Sequence, residues 1–192
     1  MKVHYGVLVI ALLTFAGGTV DASEEHLSGS ADVLAIDPVG YHAAFERLKR
    51  LEGVWEEAEY GRIVEYHLTG KGSALIEEFV GDPPMASVYH LDGEDLRLTH
   101  YCNAGNQPRM KAAHYDGSLL RFAFEDVTNL SAPNAYHTRT LDIDFQDDDR
   151  VVLSFVGLKD GREIATTHTL TRRSTPPDRS PVDKDTATGG KQ

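Results

Sequence analysis

The chain reads as an all-β domain, an antiparallel up-and-down barrel of about ten strands with one N-terminal helix. Three observations predict it. Beyond Gly53, apolar residues alternate in short runs and no convincing helical period reappears. The runs are separated by Gly70-Lys71-Gly72, Asp92-Gly93, Asp116-Gly117, Asp147-Asp148-Asp149 and Asp160-Gly161, turns short enough to join consecutive strands as hairpins. A meander of that many half-buried strands leaves two open edges unless it closes, and a barrel removes them.

The elements follow in order. Lys2, the apolar run from Val7 to Ala16 and the small residues ending at Val20-Asp21-Ala22 predict a secretory signal peptide over residues 1–22, cleaved after Ala22. The run is too short to span a bilayer, so the mature chain is expected to be secreted or periplasmic, with no membrane attachment. No cysteine follows the run to carry a lipid. Removing 22 of 192 residues leaves 170, enough for one domain with a sizeable core. Residues 23–36 form a polar leader. In the barrel domain, 37–173, Asp37 caps and Pro38 opens a helix on which Phe45, Leu48 and Leu51 recur at helical spacing, ending near Gly53. Strands are expected near 54–60, 62–69, 73–80, 86–91, 95–101, 109–115, 118–125, 136–145, 151–158 and 163–172. Residues 174–192, poor in large apolar side chains, are expected to be a disordered tail.

The formal charge of −11 argues against nucleic acid and anionic membranes as partners, because both are polyanions. Cys102 is the only cysteine, so no internal disulfide supports the fold. That thiol lies in the most chemically varied stretch of the chain. His100-Tyr101-Cys102-Asn103-Ala104-Gly105-Asn106-Gln107-Pro108-Arg109-Met110 gathers an imidazole, the thiol, three amides and a guanidinium between two strands, more than a plain reversal needs.

Strand side chains alternate, so bulky apolar residues mark the inner face and assign their polar neighbours. Leu96 and Leu98 place His100 and Cys102 inside, with Tyr89 and Leu91 across the Asp92-Gly93 turn. Leu120, Phe122 and Phe124 form another inward row. A two-residue turn at Asp116-Gly117 then brings Ala113, Lys111 and Arg109 inside; a three-residue loop would bring Met110, Ala112 and His114 instead. Leu141, Ile143 and Phe145 draw in Arg139 and His137, and Ile164 and Leu170 draw in Thr166, His168 and Arg172. Buried cations require partners, water or an anionic ligand. Glu77, Glu78 and Glu125 are available as structural partners, and solvent is within reach of strand ends.

At Gly53-Val54-Trp55, entering the first strand after a short helix, the chain resembles the calycin superfamily, which includes lipocalins and fatty-acid-binding proteins. Lipocalins carry Gly-x-Trp there, and the resemblance implies a structural role for Trp55, packed by Arg172 or Arg173 at the end of the last strand. The span from about Phe45 to Arg173 is also similar to a group of bacterial lipocalin-like proteins. The motifs concerned are Tyr89-His90-Leu91-Asp92-Gly93, Thr99-His100-Tyr101-Cys102 and Gly105-Asn106-Gln107-Pro108-Arg109-Met110. The nitrobindins, a related branch, hold haem through a histidine comparable in position to His168. Their Gly-x-Trp-x-Gly-x-Gly is here Gly53-Val54-Trp55-Glu56-Glu57-Ala58-Glu59, lacking both later glycines, which argues against haem.

These readings lead to an exported barrel that binds a small, partly apolar, anionic ligand. Arg109, Arg139 and His100 are its expected polar anchors and Tyr89 and Phe122 its walls. Lys111, His137 and His168 join the lumen, with Asn106 and Gln107 guarding the mouth. The alternatives are a haem protein using His168 and a small-molecule isomerase or hydrolase using His100. Against catalysis stand the missing nucleophile elbow, phosphate loop and metal motif, so no catalytic or metal-binding residue is assigned.

Overall fold

A computed structural model describes residues 38–57 and 59–174. The expected signal peptide, leader, Asp37 cap and the tail from residue 175 lie outside the described residues. Helix α1 (Pro38–Lys49) precedes ten strands: β1 (Gly53–Glu57), β2 (Ile63–Thr69), β3 (Ala74–Val80), β4 (Met85–Asp92), β5 (Asp95–Tyr101), β6 (Gln107–Tyr115), β7 (Leu119–Thr128), β8 (His137–Phe145), β9 (Arg150–Lys159) and β10 (Arg162–Arg172). Each strand pairs antiparallel with its sequence neighbour, and β1 closes onto β10 through Trp55↔Arg172 and Glu57↔Leu170. The predicted up-and-down barrel is what forms.

Turn chemistry explains the hairpins. Lys159 pairs with Arg162, leaving Asp160 and Gly161 as a two-residue turn with φ of 50° and 73°, as a primed hairpin turn needs. The β6–β7 connection is longer, with Tyr115 opposite Leu120. Its Asp116 carboxylate accepts hydrogen bonds from the Ser118 and Leu119 amides at 2.9 and 2.8 Å.

One end of the barrel is plugged. Tyr41, Ala44, Phe45 and Leu48 recur at helical spacing along α1 and are buried together with Leu51 against the barrel core. Beside them Trp55 is wholly buried and donates its Nε1–H to the Leu51 carbonyl at 2.7 Å. Arg172, 4.3 Å from the Trp55 ring, latches this end. It donates to the Arg50 and Glu52 carbonyls at 2.7 and 2.9 Å and to the Asp148 carbonyl at 3.1 Å. Gly53 has φ 130° and an added Cβ would come within 3.1 Å of that guanidinium, so glycine serves both backbone and latch. Inward of the plug, Leu96, Leu98, Leu120, Leu141, Ile143 and Leu153 fill the core, each contributing roughly 1.5–3 kcal/mol by burial.

Two strands depart from simple alternation, and both departures move expected lumen residues. The wider β6–β7 turn preserves the odd-numbered inward parity as far as Tyr115. A register shift between Ala112 and His114 then inserts Ala113 as a bulge, and Ala112 and Met110 turn inward. Arg109 and Lys111, expected inside, therefore stand on the outer face. Arg109 forms a two-pronged pair with Asp126, and Lys111 lies 2.8 Å from Asp95. In β8 a shift between Thr138 and Thr140 leaves Arg139 unpaired in register and turns Thr138 inward. His137, also expected inside, packs instead against Phe124, while Arg139 places its guanidinium 4.0 Å from the same ring.

Candidate functional site

The end opposite the helix is open. There the β3–β4, β5–β6, β7–β8 and β9–β10 connections surround a cavity of about 320 Å³. Phe79, Met85, Tyr136, Phe155 and Ile164 make its walls, and His100, Cys102, Asn103, Thr138, Thr166 and His168 are its polar groups. The chemically varied stretch ending β5 thus supplies three lining residues, His100, Cys102 and Asn103. Tyr136 reaches the cavity across β9 because residue 157 is glycine; a Cβ there would overlap the tyrosine ring.

Beneath the cavity lies a buried polar row spanning four strands. Cross-strand pairing aligns Tyr66 (β2), Glu77 (β3), Ser87 (β4) and His100 (β5), all buried. Tyr66 and Tyr89 donate their hydroxyls to the two Glu77 oxygens at 2.5 and 2.9 Å, and Ser87 Oγ lies 3.0 Å from His100 Nδ1. A buried carboxyl needs such donors to replace water. Burial nevertheless pushes the Glu77 carboxyl above the ordinary carboxylate range, against the hydrogen bonds from Tyr66, Ser87 and Tyr89. Burial also pushes His100 down to about 4, so at neutral pH it is an uncharged imidazole. Its Nε2 has no partner among the described residues.

A second polar group joins the barrel seam. Glu57, wholly buried on β1, receives Arg62 Nε at 2.6 Å, and its other oxygen lies 2.6 Å from His168 Nδ1 on β10. Burial alone would raise the Glu57 carboxyl; the hydrogen bonds and charges of Arg62 and His168 outweigh it and hold the group below the ordinary range. The His168 ring stands between Phe79 and Phe155, each at 5.8 Å, with Nε2 unpartnered among the described residues. Phe155 touches His100 as well, also at 5.8 Å, so both imidazoles flank one aromatic wall.

Of the residues expected to bind, His100 and His168 line the cavity. Tyr89 and Phe122 are buried deeper, stacked at 5.7 Å, and support the floor. Asn106 is buried and donates to the Tyr136 carbonyl, while Gln107 donates to the Gly105 carbonyl and accepts from Thr128 and Asn129. Both amides thus fasten loops around the mouth without lining the cavity. Arg109, Lys111, His137 and Arg139 do not line it either. Trp55 and Arg172 take their expected structural positions.

Burial raises the Cys102 thiol above its usual range, its Sγ lies 3.5 Å from Asn103 Oδ1, and among the described residues no group orients a His–Cys pair. For haem the donor set fits in part. His168 has a carboxylate on Nδ1 and a free Nε2, as a metal-bound imidazole needs. Among the described residues no cluster of three His, Cys, Asp or Glu converges as a metal centre.

Alternation could have found Glu57 and given Glu77, expected only as a partner for a buried cation, its inward position. Glu57 is two positions beyond Trp55, and Glu77 lies between Leu75 and Phe79 on one strand face. Thr138 and Tyr136 carried no such signal, because the β8 bulge decides their orientation.

Fold and cavity together define a class: a closed ten-stranded antiparallel barrel, plugged by a helix at one end and cupped around two imidazoles at the other. Compared with known proteins, the chain matches no family model and no curated protein sequence.

Proposed function

We propose that this chain is an exported, lipocalin-like barrel that binds a small, largely apolar molecule in the cavity at its mouth. The observation carrying the reading is that cavity: about 320 Å³, walled mainly by aromatic and aliphatic side chains, with a few polar groups converging on it. That is the composition of small-molecule pockets, at the small end of their size range. The anionic character expected of the ligand loses its main carriers, because Arg109, Lys111 and Arg139 do not reach the cavity. Export rests on the N-terminal apolar run, and kinship with the calycins on Gly53-Val54-Trp55 together with the Arg172 latch.

Titration with N-phenyl-1-naphthylamine, a neutral dye that brightens in apolar surroundings, tests the reading. One saturable site is expected in the wild type. Thr166→Trp, on the exposed cavity rim, should abolish it with an unchanged melting temperature, while an Arg109→Ala, Arg139→Ala double variant should bind as wild type. Binding insensitive to Thr166→Trp places the dye elsewhere and removes the support.

A second reading, haem held by His168, is favoured by the carboxylate behind its Nδ1. Haem titration should then give a Soret band that His168→Ala removes; no band in the wild type disposes of it.

A further inference from the structure

We infer that Tyr136 sets the size of ligand the cavity takes: its ring occupies a seat left by Gly157, admitting compact apolar molecules and excluding bulkier ones. The inference rests on the cavity being a binding site and adds which molecules fit it.

The seat is written in β9. Its inward row runs Val151, Leu153 and Phe155, all buried, and the next inward position, at the level of the mouth, is Gly157. A Cβ on Gly157 would come within 2.3 Å of Tyr136 Cε2 and 2.5 Å of Cζ and of the hydroxyl oxygen, closer than non-bonded atoms approach. Unlike the turn glycines, Gly157 has no positive φ, so its backbone does not call for glycine; the tyrosine ring does. Across the sheet Gly157 pairs with Thr138 and Ile164, and these two line the cavity together with Phe155 and Tyr136. The ring thus takes the place of the missing β9 side chain and stands where a ligand would otherwise extend.

The backbone holds the ring in place. Tyr136 belongs to the β7–β8 connection, which is fastened on both flanks. Asn106, buried in the β5–β6 connection, donates Nδ2–H to the Tyr136 carbonyl at 2.6 Å. On the other flank the Asp160 amide of the β9–β10 turn donates to the Asn134 carbonyl at 3.1 Å. A wall tied at both sides yields less to an oversize ligand than a free loop does, and forcing extra volume into a packed interior displaces its neighbours. Removing the ring leaves the Gly157 seat vacant and adds its volume to the cavity.

The test titrates two neutral dyes, N-phenyl-1-naphthylamine and the bulkier Nile red, into the full chain by fluorescence. In the wild type N-phenyl-1-naphthylamine is expected to bind at least tenfold more tightly. Tyr136→Ala should cut that ratio to under threefold by strengthening Nile red, while Tyr136→Phe, which keeps the ring, should preserve it. Gly157→Ala should change the ratio at least fivefold when Tyr136 is present and less than twofold in the Tyr136→Ala background, the coupling expected of groups in contact. The two Tyr136 variants decide the matter even where Gly157→Ala fails to fold. Nile red matching the smaller dye in the wild type overturns the inference and leaves the cavity as a binding site. So does a ratio unmoved by Tyr136→Ala, a ratio lost in Tyr136→Phe, or a Gly157→Ala effect equal in both backgrounds. Neither dye binding the wild type overturns the binding reading and the inference with it.

Discussion

His100 is nearly inaccessible and has only a neutral hydroxyl as partner, so folding takes an imidazole out of water with no anion to hold its proton. Its folded value of about 4 lies below the 6.5 of the free side chain. Between these limits the unfolded chain binds a proton that the folded chain does not, so stability falls as pH falls through the window, by about 3 kcal/mol at its lower end. Glu57 acts in the same direction at lower pH. Its depressed carboxyl stabilises the fold above the ordinary carboxylate range, and that contribution is lost as pH falls through it. Glu77, raised by burial, acts oppositely: its ionisation weakens the fold as pH rises through its range. Denaturant melts of wild type and His100→Gln isolate the imidazole, since the carboxyl contributions cancel in the comparison. The wild type should lose stability relative to the variant from pH 6.5 downward; parallel profiles would refute it. These side chains were unequally legible. Alternation from Leu96 and Leu98 places His100 inward and Glu77 is legible as a partner for a buried cation, whereas Glu57 obeys the same rule two positions beyond Trp55 with no second signal to single it out.

At the scale of elements, alternation held wherever a strand was regular and failed wherever a residue was inserted. β5 and β10 present His100 and His168 as expected. β6 and β8 do not present Arg109, Lys111, His137 or Arg139, because bulges at Ala113 and Arg139 reverse the inner face partway along each strand. Neither residue is a glycine or proline, so nothing local advertised the change. The outer face so created is a ladder of paired charges, Arg97 with Glu125, Arg109 with Asp126 and Arg121 with Asp142, that keeps it wet. Exposed pairs of this kind are worth under about 1 kcal/mol each. The latch differs. Arg172 ties the residues after α1 to the β8–β9 turn and covers Trp55, so Arg172→Ala should cost on the order of 2 kcal/mol. Arg172→Lys should recover little, since a lysine lacks the fork that reaches three carbonyls. Urea denaturation measures both; a loss under about 0.5 kcal/mol for the alanine variant, typical of plain surface substitutions, would refute the latch.

The described residues form one sheet closed on itself, with an apolar floor under the helix and a polar-lipped cup at the other end. Closure leaves no free edge and makes every strand depend on its neighbours, so unfolding should be a single transition. Trp55, the only tryptophan, lies at the plugged end, far along the chain from most strands. Its fluorescence and the far-ultraviolet circular dichroism should therefore share one midpoint; separate midpoints would show the plug melting apart from the barrel. The sequence by itself determined the all-β class, the order of ten hairpin-linked strands and the helix before them. Those features are written in periodicity and turn residues, which act over a few neighbours. Only the tertiary structure decided which cations leave the lumen and which carboxylates stand behind the imidazoles. A bulge depends on how two strands settle against each other, and Glu57 meets His168 across 111 residues only because the first strand closes on the last.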